Sequence, residues 1–313
     1  MANVGLMANR VCLVTGATAG IGLVTARELA RQGATVVIVS RNAEKCTASA
    51  ETIRQETGNS KVGWLQADLS VQADVRRLAN EFKERYQHLH VLVNNAGAMY
   101  ELRRESADGI EMTFALNHLG PFLLTNLLLD TLKASAPVRI INVSSSAHKD
   151  VRAFDLADPE FKAATKGHGD YPRTKGRSLF YTLAKPWAHP AFLQYGHTKL
   201  ANLLFTYELA RRLAGSGVTV NALHPGFVAT SFGATSEGPY TWCLRRAIRW
   251  FGIKPEEGAK TPIYLATSPE VETVSGKYFV KEKPIESSPA SHDLEVAKGL
   301  WELSERMTGL MQV

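Results

Sequence analysis

The chain has 313 residues, of which 45% are hydrophobic, and a formal net charge of +6. That length can bury one large core, and without a dense Lys/Arg tract the modest basic charge does not indicate nucleic-acid binding. No apolar run reaches the 18 residues of a membrane span, and residues 1–10 lack the features of a signal peptide. Three scattered cysteines favour the reducing cytosol over a metal site or a disulfide framework. We therefore expect a cytoplasmic protein without a structural metal.

Short apolar runs alternate with longer amphipathic segments along the chain. This alternation predicts one α/β domain over residues 1–313, with a doubly wound parallel sheet and helices on both faces. The clearest predicted helices are residues 21–32, 113–132 and 195–213. The predicted strands are residues 10–15, 35–40, 61–66, 90–93, 139–143, 218–223 and, as the final strand, 276–280.

Ligands of such sheets bind beyond the carboxyl ends of the strands. Six residues with functional potential each follow a predicted strand, and we expect them to meet at one edge of the sheet. They are Gly16, Ser40, Asp68, Asn94, Ser145 and Pro225.

A glycine-rich turn, Thr-Gly-Ala-Thr-Ala-Gly-Ile-Gly at residues 15–22, links the first strand to the first helix. Glycines let the backbone approach a pyrophosphate closely, and the helix N-terminus offers it free N–H donors. Three residues separate the first two glycines, unlike the G-x-G-x-x-G pattern of many dinucleotide sites. The turn predicts a dinucleotide site, with a tight turn that binds nothing as the alternative.

The tip of the second strand indicates which dinucleotide would bind. NAD sites place a carboxylate there for the ribose 2′-hydroxyl, whereas this chain has Ser40-Arg41-Asn42. Because a guanidinium pairs well with a 2′-phosphate, Arg41 favours NADP(H), unless it is simply a solvated loop residue. After the third strand, Asp68 and Leu69 are placed to meet an adenine edge, with an ordinary strand-end Asp as the alternative.

Tyr195 and Lys199 lie four residues apart, which places both on one face of a helix. A phenol with a pKa of about 10 is a poor acid or base near neutrality, and an adjacent cation lowers that pKa. The pair therefore suits protonation or deprotonation of an alcohol or carbonyl oxygen. Alone the spacing is weak, because a half-buried Tyr and a surface Lys have it by chance on many helices.

Together these motifs resemble the short-chain dehydrogenase/reductase superfamily over about residues 10–309. The matching pieces are residues 15–22, Asp68, residues 94–97, Asn117, residues 143–145, Tyr195 with Lys199, and Pro225-Gly226 with Thr230. Within that superfamily, residues 114–120, 200–206, 208–213 and 275–279 look like the retinol dehydrogenase-like branch. Arg41 fits the NADP(H)-using members of that branch.

The resemblance implies a Rossmann-type fold and a catalytic tetrad of Asn117, Ser145, Tyr195 and Lys199. Tyr195 would transfer the proton, Ser145 would polarise the substrate oxygen, Lys199 would lower the Tyr195 pKa and hold the nicotinamide ribose, and Asn117 would position a relay water. The implied cofactor-binding residues are Gly16, Thr18, Ala19, Gly20, Ile21, Arg41, Asp68, Leu69, Asn95, Ala96, Gly97, Tyr195, Lys199, Pro225, Gly226 and Thr230.

Two segments set this chain apart. Ser145 and Tyr195 are 50 residues apart, about twice the spacing expected for the family, and residues 165–192 account for the excess. This insertion is basic and aromatic, and we interpret it as a substrate-shaping lid, with a surface loop or a membrane-contacting loop as alternatives. Residues 231–255 match the family's substrate cover, and their aromatic side chains suit a lipophilic substrate.

The leading functional hypothesis is an NADP(H)-dependent oxidoreductase that interconverts an alcohol with an aldehyde or ketone. A C=C reductase resembling protochlorophyllide reductase is a second hypothesis, and a non-catalytic NADP(H)-binding sensor or scaffold is a third. The expected partner is a lipophilic small molecule, with peripheral membrane contact left open and the protein a monomer or homodimer. We interpret His197 as a surface or substrate-side residue, and His118 and His224 as structural.

Overall fold

Eight strands form one sheet in the order β3-β2-β1-β4-β5-β6-β7-β8, in a computed structural model that describes residues 6–100, 102–162, 190–228 and 252–310. Neighbouring strands are parallel except for β7 and β8. The strands are β1 (Val11–Thr15), β2 (Thr35–Ser40), β3 (Val62–Gln66), β4 (Val91–Asn94), β5 (Val138–Val143), β6 (Val218–His224), β7 (Tyr278–Val280) and β8 (Lys283–Ile285).

Helices connect the parallel strands and cover the sheet. The α-helices of the described residues are α1 (Gly20–Arg31), α2 (Ala43–Thr57), α3 (Gln72–Arg85), α4 (Met112–Phe114), α5 (Gly120–Leu127), α6 (Leu129–Ala134), α7 (Pro190–Arg212), α8 (Pro255–Thr267) and α9 (Leu294–Thr308). A π-helix, Ala115–Leu119, joins α4 to α5, and a 3₁₀-helix, Ser146–Asp150, follows β5.

The sheet is buried on both faces, as the apolar runs of its central strands predict. Successive side chains of β1 point to opposite faces, so Leu13 lies in the core beneath α3, α5 and α7, whereas Cys12 and Val14 lie in the core beneath α1 and α8. All three side chains are fully buried. The predicted doubly wound α/β fold is therefore confirmed, and Cys12 is a packing residue.

The helix expected over residues 113–132 is not continuous. It runs as α4, the π-helix, α5 and α6, with breaks around Asn117 and Leu128. Pro121 has no N–H to give to the Asn117 carbonyl in the α-helical pattern. The Asn117 side chain also bonds outside the helix, to both backbone groups of Ala98. This local widening fits the observation that π-bulges occur frequently at functional sites.

The expectation that residues 276–280 form the last strand is wrong, because the antiparallel β8 follows β7. Lys281 and Glu282 connect the two strands with positive φ angles of 50° and 63°. Such a two-residue turn matches the twist of a hairpin, but Asn-Gly or Asp-Gly is its usual sequence. Pro284 is tolerated in β8 because the strand lies at the exposed edge of the sheet.

Three predicted features fall wholly or mostly outside the described residues. They are Thr230, the insertion at residues 165–192 apart from its last three residues, and the cover at residues 231–255 apart from residues 252–255.

Candidate active site

A cleft of about 510 Å³ lies at the carboxyl edge of the sheet. The carboxyl ends of β1, β2, β4, β5 and β6 border this cleft, and ligands of open α/β sheets bind at such strand ends. The predicted site residues that line it are Gly16, Thr18, Ala19, Gly20, Ile21, Arg41, Asp68, Leu69, Asn95, Ala96, Gly97, Ser145, Tyr195, Lys199, Pro225 and Gly226.

The glycine-rich turn after β1 packs directly against the turn after β4. A Cβ on Gly16 would lie 2.8 Å from the Ala96 Cα, and one on Gly22 would lie 2.5 Å from the Asn95 Nδ2. Gly16 also has a φ of 65°, which side chains rarely allow. The Asn95 Nδ2 donates to the Thr15 carbonyl at 2.8 Å and so holds the turn in place. The glycines are therefore needed for the two turns to meet beneath the cleft.

The N-terminus of α1 opens onto this end of the cleft. Ala19, its N-cap, has no side-chain oxygen to satisfy the first N–H groups, and no acidic residue occupies the first turn. Thr18 donates to the Ser40 hydroxyl at 3.3 Å, which ties the turn to the end of β2. Uncapped N–H groups and the helix dipole suit an anionic group, so this end fits a pyrophosphate.

Arg41 and Asp68 border the same end of the cleft. Arg41 is exposed, and among the described residues no carboxylate lies within ion-pair distance of its guanidinium. Asp68 accepts hydrogen bonds at Oδ1 from the backbone N–H and the hydroxyl of Ser70, at 3.0 and 2.6 Å. The Asp68 carboxylate therefore stabilises the turn after β3, and Arg41 is available to an anionic ligand.

The end of β5 and helix α7 are joined through Lys199. The Lys199 Nζ donates to the Val143 carbonyl at 2.9 Å, and the Ser144 hydroxyl donates to the Lys199 carbonyl at 2.8 Å. Ser144 is thereby committed to the backbone, whereas Ser145 lines the cleft and its side chain hydrogen-bonds Tyr195. The geometry thus places Ser145 beside the phenol and favours it over Ser144 for the predicted role.

Asn117 lies behind the cleft, next to Lys199. A Cβ on Gly97 would be 3.1 Å from the Asn117 Oδ1 and 3.4 Å from the Lys199 Nζ, so the three residues are neighbours. Asn117 donates to the Thr198 hydroxyl at 3.0 Å. The Asn117 main-chain carbonyl accepts from the Asn202 amide at 2.8 Å, in the amide orientation that also satisfies Thr198. Sequence reasoning did not identify Asn202, whose partner is a carbonyl that only the interrupted helix presents.

Burial dominates the electrostatics of the Tyr195–Lys199 pair. It raises the pKa of Tyr195 above its usual value, which the hydrogen bond with Ser145 offsets only in part, and it lowers the pKa of Lys199 to about 7. The Lys199 Nζ lies 5.4 Å from the centre of the Tyr195 ring. Burial thus favours the neutral form of both groups, and the expected lowering of the Tyr195 pKa by Lys199 stays a prediction.

The Tyr195 end of the cleft is apolar. Tyr195 packs in one cluster with Met99, Ala147 and Ala191, and Phe192 and Phe227 lie against it. Most of these residues were not predicted, because the segments that carry them are far apart in the sequence. Their presence suits a hydrophobic group beside the phenol.

His148 fixes the segment that carries Ser145. Its Nδ1 is 2.6 Å from the Ser145 carbonyl, and its Nε2 accepts from the Ser288 N–H at 3.2 Å. That pattern assigns the neutral tautomer with the proton on Nδ1, and burial lowers the His148 pKa to about 4. No sequence motif pointed to this histidine, since its partner Ser288 lies 140 residues away.

The expectation for His197 is wrong. Its ring is 5% exposed, stacks on Phe154 at 5.0 Å and meets Phe161 edge-on at 4.2 Å. It is a core residue on the face of α7 that turns away from the cleft. His118 and His224 have structural roles, as expected. His118 hydrogen-bonds the Ser304 hydroxyl at 2.8 Å, and His224 accepts from the Gly226 N–H at 3.3 Å.

The described residues contain neither a membrane-spanning helix nor a cluster of metal ligands. None of their helices is long and apolar enough to cross a membrane. Nor do their His, Cys, Asp and Glu side chains form a group of three that could hold a metal ion.

Comparison with known proteins identifies the family. The family model for short chain dehydrogenases matches residues 10–156. Human retinol dehydrogenase 13 is 41% identical over 312 residues, which cover 96% of this chain and 85% of that protein. Human retinol dehydrogenase 14 is 41% identical over 323 residues, which cover 98% and 89% of the two chains.

Solved structures agree with this assignment. A protein of Mycobacterium paratuberculosis superposes with a TM-score of 0.70 at 32% identity, over 98% of this chain and 96% of that one. The Pseudomonas aeruginosa RhlG/NADP active-site complex gives 0.64 at 28% identity, over 88% and 96%. The fold and the cleft together define a short-chain dehydrogenase/reductase. Within that superfamily the chain belongs to the retinol dehydrogenase-like branch, and it is an oxidoreductase.

Proposed function

We propose that this protein is an NADP(H)-dependent oxidoreductase that interconverts an alcohol and an aldehyde or ketone on a lipophilic substrate. The observation that carries the proposal is the hydrogen bond between Ser145 and Tyr195 at the apolar end of the cleft, with Lys199 adjoining. A substrate oxygen placed between the two hydroxyls would be polarised by Ser145 and would exchange a proton with Tyr195.

Different residues of the chain would bind the cofactor and transfer the proton. The glycine-rich turn and the N-terminus of α1 would hold the pyrophosphate, and the residues after β4 and β6 would border the nicotinamide. When bound, the cofactor supplies or accepts the hydride at the substrate carbon. Tyr195 gives a proton to the carbonyl oxygen during reduction and takes it from the hydroxyl during oxidation. Lys199 fixes the end of β5 through its bond to the Val143 carbonyl, which sets the position of Ser145.

The charge state of Lys199 links cofactor binding to acid/base chemistry. Burial lowers the Lys199 pKa to about 7. Phosphate groups in the same cleft favour the protonated amine, and a protonated Lys199 in turn favours the Tyr195 phenolate. We therefore expect the Tyr195 pKa to fall toward the working pH when the dinucleotide is bound.

Two features support the finer parts of the proposal. Arg41 is exposed at the cleft edge beside the end of β2, where a guanidinium would meet a 2′-phosphate, and this supports NADP(H). The side chains of Met99, Phe192 and Phe227 around Tyr195 support a lipophilic substrate. The cytoplasmic location and the oligomeric state stay predictions.

The test is NADPH oxidation with a panel of aldehydes and ketones, for the wild type, Tyr195→Phe and Tyr207→Phe. Tyr207 is the matched control because it lies on the same helix but bonds Ser287, at 2.7 Å, and does not line the cleft. We expect turnover in the wild type and in Tyr207→Phe, and a loss of at least 10²-fold in Tyr195→Phe, the scale of a general acid.

The other hypotheses predict different outcomes of this assay. Reduction of an activated C=C bond without reduction of any carbonyl would favour the C=C reductase. Tight NADPH binding without turnover of either class would favour the sensor. Equal activity of Tyr195→Phe and the wild type would contradict the assignment of the proton donor.

A further inference from the structure

Asp150 is a buried carboxylic acid in the wall of the cleft that the proposed chemistry does not use. It is the last residue of the 3₁₀-helix Ser146–Asp150, it lines the cleft, and it is 5% exposed. Within residues 6–100, 102–162, 190–228 and 252–310, no hydrogen-bond donor and no cation contacts its carboxylate. Burial raises the Asp150 pKa to about 6.

Because Asp150 is 5% exposed and lines the cleft, a ligand that displaces water from its carboxylate must supply a donor or leave the acid unpaired. Among the described residues the carboxylate is not used to hold the fold together. The backbone of its 3₁₀-helix is held instead by Ser145, which accepts from the Ala147 N–H at 3.2 Å, and by His148. The cations nearest to it in the sequence, Lys149 and Arg152, are both exposed to solvent, and the Lys199 amine in the cleft bonds a backbone carbonyl. A structural role therefore does not explain the acid.

The position of Asp150 relative to Tyr195 follows from the packing of two elements. The 3₁₀-helix lies against the first turns of α7, so closely that a Cβ on Gly196 would be 2.8 Å from the Ala147 carbonyl oxygen and 3.1 Å from the Val151 Cγ2. Asp150 shares this 3₁₀-helix with Ala147, which packs with Tyr195, and all three residues line the cleft.

We propose that Asp150 is a specificity-determining residue that accepts a hydrogen bond from a hydroxyl or ammonium group of the substrate, away from the carbon that reacts. The inference rests on the proposed function. It narrows the substrate class to lipophilic aldehydes and ketones that carry one such donor. A buried acceptor discriminates strongly, because an analogue without the donor leaves the acceptor unpaired.

The test compares three matched ketones of equal length that end in a methyl, a hydroxyl or an ammonium group. The proteins are the wild type, Asp150→Asn, Asp150→Leu and Asp130→Asn, an exposed control on α6 outside the cleft. In the wild type and the control we expect kcat/KM to be at least tenfold higher for a donor-bearing ketone than for the methyl ketone. In Asp150→Leu that ratio should fall at least tenfold, with the methyl ketone equal or better.

Asp150→Asn separates the two donor chemistries and is the more conservative change. It should keep a preference for the hydroxyl ketone, since its amide oxygen still accepts, and lose a preference for the ammonium ketone. A wild type that prefers the methyl ketone, or a ratio unchanged in both Asp150 variants, would overturn the proposal.

A binding measurement distinguishes failure of this proposal from failure of the proposed function. Calorimetric titration of the corresponding alcohols into NADPH-loaded Tyr195→Phe protein, with and without Asp150→Asn, needs no turnover. Donor-dependent binding that Asp150→Asn alters, without turnover of any ketone, would support the subsite and refute the reductase. If ketones are turned over but neither alcohol binding nor substrate selectivity changes in the Asp150 variants, the reductase is supported and the subsite is refuted.

Discussion

Two fully buried threonines differ in how their hydroxyls are used. Thr15, at the end of β1, donates to the Val93 carbonyl at 3.2 Å and accepts from the N–H groups of Asn95 and Ala96, both at 3.0 Å. Thr25, on α1, has a hydroxyl with no hydrogen-bond partner among the described residues. The same substitution, Thr→Val, keeps the shape at both positions and removes the hydroxyl.

The expected effects have opposite signs. Thr15→Val leaves the Ala96 N–H without its partner, whereas the Asn95 N–H and the Val93 carbonyl keep the bond to each other at 3.0 Å. An unsatisfied group costs about 1–3 kcal/mol, less where water reaches it. Because Ala96 is only half-buried, we expect a loss of about 1–3 kcal/mol in the free energy of unfolding. Thr25→Val removes an unpaired buried hydroxyl, so we expect no loss or a gain of about 1 kcal/mol.

Urea unfolding followed by circular dichroism measures both changes, provided that the dependence on urea concentration stays constant. Thr15→Ser, which keeps the hydroxyl and loses a methyl group, should cost no more than about 1.5 kcal/mol. Thr15→Val should also weaken NADPH binding, because the turn that lines the cleft loses its anchor, whereas Thr25→Val should not. Equal losses in Thr15→Val and Thr25→Val would refute the reasoning that hydrogen bonding, and not burial alone, sets the difference.

Two further predictions concern cofactor choice and acid stability. Arg41→Ala should raise the Kd for NADPH roughly 10–100-fold, the scale of one charge-assisted hydrogen bond, and should leave the Kd for NADH nearly unchanged. Lys45→Ala is the control. An equal loss of affinity for both nucleotides would contradict the assignment of Arg41 to the 2′-phosphate. Burial lowers the pKa of His118 to about 3 and of His148, His197 and His224 to about 4. Since the unfolded chain protonates these rings near pH 6.5 and the fold does not, stability should fall as pH drops from about 6.5 to 4, by up to roughly 3 kcal/mol per histidine. An unfolding free energy that stays flat across this window would contradict it.

The cofactor half of the cleft was predictable because local sequence determines it. A buried strand followed by glycines at residues 16, 20 and 22 leaves few alternatives to a strand–turn–helix unit, and the strand ends of a parallel sheet must share an edge. Thus Gly16, Arg41, Asp68 and Asn95 line one cleft as expected. The strands were equally readable: residues 35–40, a β-branched run, match β2 at both ends.

The remaining features depend on partners distant in the chain. The periodicity of residues 113–132 is helical throughout, and the interruption at Asn117 arises from bonds to Ala98 and Thr198 that no local pattern encodes. His197 was expected at the surface or on the substrate side, whereas Phe154 and Phe161 bury it. The hairpin at Lys281 and Glu282 lacks the residues that usually mark such a turn.

For Asp150 the local sequence and the fold lead to different expectations. In the sequence it is one charged residue in Ala-His-Lys-Asp-Val, where an exposed acid is the ordinary expectation. The fold places it instead in the lining of the cleft, on an element that packs against the turn of α7 that carries Tyr195. The apolar side chains that pack with Tyr195 favour any hydrophobic substrate, so they give affinity with little selectivity. An acceptor in the same cleft penalises every substrate that covers it without offering a donor, so under the proposal selectivity among lipophilic carbonyl compounds depends on Asp150 and not on Tyr195 or Lys199.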